Sequence, residues 1–155
     1  MTNNILLLDI DGVVAPLYNF ESDDYILVPV GYATWKIPFK TVNMILDVTE
    51  SENQIVWEST WEEVSNRINQ SLDIENFQYL EYSDSNSDIW FKFDSVKKFL
   101  KTCPKNCQIV WVDDEIPEEI VEWSHGQPGL VCVVPDGRKG LTDNEIEFIK
   151  SILFS

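Results

Sequence analysis

Residues 5–14 read ILLLDIDGVV, and this stretch decides the fold. Four apolar residues, Ile5 to Leu8, run straight into Asp9. A short run that is apolar at every position, rather than at alternate ones, is the pattern of a parallel strand covered on both faces. In a sheet of such strands, ligands bind outside the carboxyl ends. Asp9 and Asp11 therefore stand where chemistry is expected, and Gly12 to Tyr18, with Pro16, read as a turn region. An Asp-x-Asp-Gly by itself is commonly a solvated turn. The apolar strand before it, and a second strand ending in acids at Asp113 and Asp114, make it a candidate site.

Outward from this strand, the pattern alternates between strands and helices. Residues Tyr25 to Trp35, β-branched or aromatic around Gly31, predict a hairpin. A helix follows from about Lys40 to Glu50, with Val42, Ile45, Leu46 and Val48 on its apolar side. QIVWE, Gln54 to Glu58, is a second strong strand. Thr60, with Glu63 three residues on, has capping-box spacing for a helix through Val64, Ile68 and Leu72. A weaker strand is predicted at Phe77 to Tyr82, then a polar loop, SDSNSD. Asp94 is placed to cap a helix through Val96, Phe99 and Leu100. QIVWV, Gln108 to Val112, is the third strong strand, followed by a short helix at Glu118 to Ser124 and a strand at Leu130 to Val134. Thr142 and Glu145 cap a last helix carrying Ile146, Ile149 and Leu153. This order predicts an α/β fold, a Rossmann-like three-layer sandwich around a central parallel sheet, in a single domain over residues 1–155.

Composition narrows the function classes. Net charge is -16, so the chain repels polyphosphate at long range, and extended nucleic-acid binding is not expected. A short nucleic-acid end held locally through a metal ion is compatible with that charge. Much of the charge reads as a solvated, solubilising surface. No apolar run approaches the roughly 20 residues of a membrane helix, and the first residues lack the basic region and cleavage site of a signal peptide. Cys103, Cys107 and Cys132 form no CxxC pair and have only His125 to join them, which argues against a structural zinc site. An odd cysteine count predicts a reducing compartment, hence the cytoplasm.

Three strong strands end in polar groups: Asp9-x-Asp11, Glu58-Ser59-Thr60 and Asp113-Asp114. Crowded carboxylates repel one another and take up protons unless a cation neutralises them. Hard oxygen ligands of this kind suit Mg²⁺. A nucleophile beside an acid–base group at a metal centre fits phosphoryl transfer, in which positioning and charge stabilisation dominate.

The same residues resemble the haloacid dehalogenase (HAD) superfamily. ILLLDIDGVV is similar to its first motif, IVWES to its second, Lys92 in FKFDSVKKFL to its third, and IVWVDDEI to its fourth, all in order. The frame W-x-S-T-W with Asn66 beyond it, the WVDD segment and VVPDGRKGLT resemble a small capless subgroup, the HAD domains of Swiss Army Knife RNA repair proteins. The resemblance implies Asp9 as the covalent nucleophile and Asp11 as general acid and base. It implies Mg²⁺ on the Asp9 carboxylate, the Asp11 backbone carbonyl and Asp113, with Asp114 assisting. Ser59, or Thr60 one residue on, would hold phosphate oxygens together with Lys92; Lys97 and Lys98 are the alternative lysines. Asp at position 11 favours a phosphatase over the dehalogenase branch.

The gaps between Asp11, Ser59 and Lys92 hold only the elements named above, so the cap is minimal, a β-hairpin flap. An open site admits a phosphorylated small molecule, a nucleotide or a nucleic-acid end. The reading is a Mg²⁺-dependent phosphohydrolase. The alternative is a non-catalytic protein of the same fold that sequesters a phosphorylated ligand or a protein partner.

Overall fold

The computed structural model describes residues 3–18, 24–83 and 87–155. In chain order the elements are β1 (Ile5–Leu8), the hairpin strands β2 (Tyr25–Val30) and β3 (Ala33–Pro38), α1 (Phe39–Glu50), β4 (Gln54–Trp57) and α2 (Asn66–Ser71). Then come α3 (Phe93–Thr102), β5 (Ile109–Val112), α4 (Glu118–Ser124), β6 (Leu130–Val133) and α5 (Asp143–Leu153). Residues 84–86, within the predicted polar loop, lie outside the described residues.

The apolar or nearly apolar strands form one sheet in the order β4-β1-β5-β6, with every pair parallel. Successive side chains of a strand point to opposite faces, and each face has its own core. Leu6, Leu8, Ile55, Trp57, Val110 and Val112 pack on one side with the hairpin and with residues of α1, α2 and α5. Ile5, Leu7, Val56, Ile109 and Trp111 pack on the other with Phe93 and Val96 of α3 and Ile120 of α4. This is the expected three-layer α/β sandwich. The hairpin is seated in the first core by Val28, Val30, Trp35 and Ile37. No helix of the described residues is long and apolar enough to cross a membrane.

Three local expectations change. Thr60 caps nothing: residues Glu62–Ser65 form a 3-10 turn without a side-chain cap, and α2 begins only at Asn66. Ser59 Oγ accepts the Trp61 backbone N–H at 3.1 Å, and Glu62 takes a positive φ of 49°, so the chain leaves β4 in a turn that the capping box cannot join. The weak strand at Phe77 to Tyr82 reduces to one parallel bridge, Trp57 to Tyr79. Tyr82 turns away to donate its hydroxyl to the Glu58 carbonyl at 2.7 Å. Asp94 lies inside the first turn of α3 rather than capping it, and pairs with Lys97 at 3.7 Å; Lys92 holds the cap position. At α5 the capping box forms as expected, Glu145 N–H to Thr142 Oγ1 at 3.3 Å and Thr142 N–H to Glu145 Oε1 at 2.9 Å.

Candidate active site

The register of the sheet builds the site. Leu8 pairs with Trp57 on one side and Val112 on the other. The next residue of each strand, Glu58, Asp9 and Asp113, therefore comes level with the other two. Parity puts these three side chains on the face of Leu7, Val56 and Trp111, against α3. All three are buried, at 0%, 6% and 0% exposure respectively. The strand order also reverses here, because the chain leaves β1 for β4 on one side and returns to β5 on the other. Such a switch point is where α/β sheets open a crevice.

Lys92 enters this row from the start of α3. Its Nζ lies 2.7 Å from Asp113 Oδ2, 3.3 Å from Glu58 Oε2 and 3.5 Å from Asp9 Oδ1. The second oxygen of Glu58 accepts the Trp111 Nε1–H at 3.2 Å, and Asp113 Oδ1 accepts the Glu115 backbone N–H at 2.8 Å. Burial and then the charge of Asp113 push the Asp9 carboxyl up to about 8, against the pull of Lys92. Glu58 is driven well above the carboxylate range by the same two causes. For Lys92, burial acts downward, but Glu58, Asp9 and Asp113 outweigh it and raise the ammonium above its ordinary value. One cation stands among three buried carboxyl groups, and two of them, Asp9 and Glu58, hold their protons unless further positive charge arrives.

Asp11 stands differently. It is exposed, on the turn after β1, and its Oδ2 accepts the Trp61 Nε1–H at 2.7 Å. Trp61 is braced edge-on against Trp35 of the hairpin, with ring centroids 5.3 Å apart. The hairpin thus reaches the site's edge through one pair of indoles. Ser59 is buried at the end of β4 and Thr60 is exposed. Of the alternative lysines, Lys97 sits over the Phe93 ring and pairs with Asp94, and Lys98 is exposed; Lys92 is the lysine on Asp9.

Asp114 completes the group. One carboxylate oxygen each from Asp9, Asp113 and Asp114 lie within 4.8 Å of one another, a spacing that one cation can bridge. Burial and the neighbouring Asp113 raise the Asp114 carboxyl to about 6. Its carboxylate rests between Gly12 and Gly137, and a Cβ on either glycine would collide with it. Mutually repelling, hard oxygen donors, two buried and one half-buried, fit Mg²⁺.

Two features were missed in sequence, the Trp61 contact to Asp11 and the glycine cradle of Asp114. Glu58 was grouped with the other strand-end polar residues but was given no role of its own there. A separate cleft of about 640 Å³, lined by Asn3, Asn53, Gln54 and Asn76 among others, lies at the amino ends of β1 and β4 and contains none of these groups.

A parallel sheet ordered in this way, with Asp-x-Asp after the central strand and paired acids after its neighbour, defines a HAD-like α/β domain. The family model of the HAD domain in Swiss Army Knife RNA repair proteins matches residues 5–146, and the chain belongs to that family. A comparison with curated proteins gave no match.

Proposed function

We propose that the protein is a Mg²⁺-dependent phosphatase acting through an aspartyl-phosphate on Asp9. The observation that carries this reading is the Asp9 carboxylate. It is fixed at the end of a rigid strand, 3.5 Å from Lys92 Nζ and within bridging distance of Asp113 and Asp114, with exposed Asp11 two residues on. Asp9 attacks phosphorus while the bond to the leaving oxygen breaks, and Asp11 gives that oxygen its proton. Asp11 then takes a proton from water, which attacks the phosphorus and releases inorganic phosphate and free Asp9. Ser59 and Lys92 hold phosphate oxygens, with Thr60 at the rim. Mg²⁺, when held by Asp9, the Asp11 carbonyl, Asp113 and Asp114, neutralises charge that builds on the transferring phosphoryl group.

For substrate, a nucleotide or a nucleic-acid terminal phosphate is favoured. The family description names RNA repair proteins. Asp11 is exposed, and among the described residues the hairpin meets the site's edge through Trp35 against Trp61, which favours an open site that admits a large leaving group. A panel of phosphorylated metabolites, nucleotides and 3'- or 5'-phosphorylated oligonucleotides, assayed for phosphate release with Mg²⁺, tests the reading. The Asp9→Asn variant should be folded and inactive on every substrate that wild type cleaves. Turnover by that variant within about tenfold of wild type would remove Asp9 as nucleophile.

A further inference from the structure

The proposed reaction employs Asp9, Asp113 and Lys92, and it has no task for Glu58. Yet Glu58 is fully buried beside them, and burying a carboxylate is costly unless its partners require it. Its surroundings are specific. Oε2 faces Lys92 Nζ at 3.3 Å, Oε1 accepts Trp111 Nε1–H at 3.2 Å, and its backbone carbonyl is held by the Tyr82 hydroxyl. Lys92 and Trp111 are obligate donors, one on each oxygen of Glu58, with the Asp113 carboxylate alongside, so both oxygens are called on to accept. Glutamine has the same shape but would turn an amide N–H against one of the two.

An ammonium has three N–H donors and no acceptor. In Lys92 the short contact goes to Asp113, the intermediate one to Glu58, and the longest, 3.5 Å, to Asp9. We propose that Glu58 is a positioning residue. With Asp113 it fixes two of the three donors of Lys92, and so aims the third at Asp9 and at a phosphate oxygen arriving over it. The inference rests on the proposed function, since it assigns Lys92 to phosphate. A simple buried counter-ion would stabilise the fold without directing the third donor. The two roles differ in what Glu58→Gln changes.

The test measures binding as well as turnover. Affinity for Mg²⁺ alone, and for orthovanadate or inorganic phosphate at saturating Mg²⁺, is read from tryptophan fluorescence or calorimetry, with melting temperature recorded alongside. In Glu58→Gln, phosphate and vanadate affinity should fall about ten- to a hundredfold, the scale of one misdirected hydrogen bond to a charged group. That loss should exceed any loss of Mg²⁺ affinity by about tenfold or more. If Glu58→Gln does not fold, Trp111→Phe frees Oε1 while keeping the carboxylate and the lysine, and should show the same split at smaller size. Equal losses for both ligands, or no loss of phosphate affinity in a folded variant, overturns the inference alone. A wild-type protein that binds neither Mg²⁺ nor phosphate overturns the proposed function instead.

Discussion

Metal-free protein should lose stability as pH rises through neutrality, and Mg²⁺ should restore it. The Asp9 carboxyl is raised from 3.8 to about 8, and that of Asp114 from 3.8 to about 6. A raised acid keeps a proton in the folded state that the unfolded chain has released, so the folded state binds more protons between these values. Its contribution is then fully present below about pH 4 and is lost as pH climbs toward 8. At about 1.4 kcal/mol per pH unit, the roughly four units for Asp9 set a ceiling of ~6 kcal/mol. Water entry and small movements of the carboxylates reduce it, which leaves about 2–4 kcal/mol; Asp114, half open to solvent, adds little. For a domain of this size each kcal/mol moves the melting temperature by about 2–4 °C, so a fall of about 5–15 °C is expected between pH 5 and 8.5.

The assay is thermal unfolding across that range, in chelator and in millimolar Mg²⁺. Because protons and Mg²⁺ compete for the same carboxylates, the Mg²⁺-induced shift should grow with pH. Asp9→Asn, which keeps the shape and removes the titrating group, should flatten the metal-free slope and separate it from the effect of the overall charge of -16. A Mg²⁺ shift of the same size at pH 5 and 8.5, or a slope unchanged by Asp9→Asn, would refute the argument.

Asp11→Asn should lower turnover about 10²–10⁴-fold, as measured by steady-state phosphate release. Trp61→Phe keeps the ring on Trp35 but removes the N–H that holds Asp11. It should slow esters with poor leaving groups more than p-nitrophenyl phosphate, and an equal effect on both would deny Trp61 a hold on the acid. Gly137→Ala puts a methyl into the Asp114 carboxylate and should weaken Mg²⁺ binding about tenfold or more by calorimetry, without Ser59 or Lys92 being touched. Ca²⁺ should support little turnover in place of Mg²⁺, because its longer, more numerous bonds misplace the Asp9 carboxylate; full activity after exhaustive chelation would rule out the metal-assisted route.

What was legible in the sequence was what short stretches determine. Ile5–Leu8, Gln54–Trp57 and Ile109–Val112 are each apolar or nearly so, and each is followed at once by an acid, so their role as buried parallel strands could be read residue by residue. The capping box at Thr142 was legible for the same reason, since both of its partners lie within four residues. Thr60 has the same spacing and fails, because its turn is set by contacts the local sequence does not contain. Trp61 is drawn to Asp11, fifty positions away, and to Trp35 in the hairpin. Capping is worth about 1 kcal/mol, and a partly buried indole pair with a hydrogen bond to a carboxylate outweighs it.

Glu58 shows where local reading stops. Seen alone, an acid after an apolar strand is a surface residue at the start of a loop, and most acids are exposed. Once β4 is known to pair with β1 in the register Leu8 to Trp57, Glu58 must stand level with Asp9 and on the same face. The register is a property of two strands forty-nine residues apart, set by matching apolar faces rather than by either strand alone. The same holds for Gly137, whose missing side chain acquires meaning only when the loop after β6 is laid against Asp114. The strand-end acids therefore name the chemistry, while the groups that aim them come from elements brought together by the sheet. For that reason, substitutions at Glu58, Trp61 and Gly137 are the ones that separate a working site from a mere collection of acids.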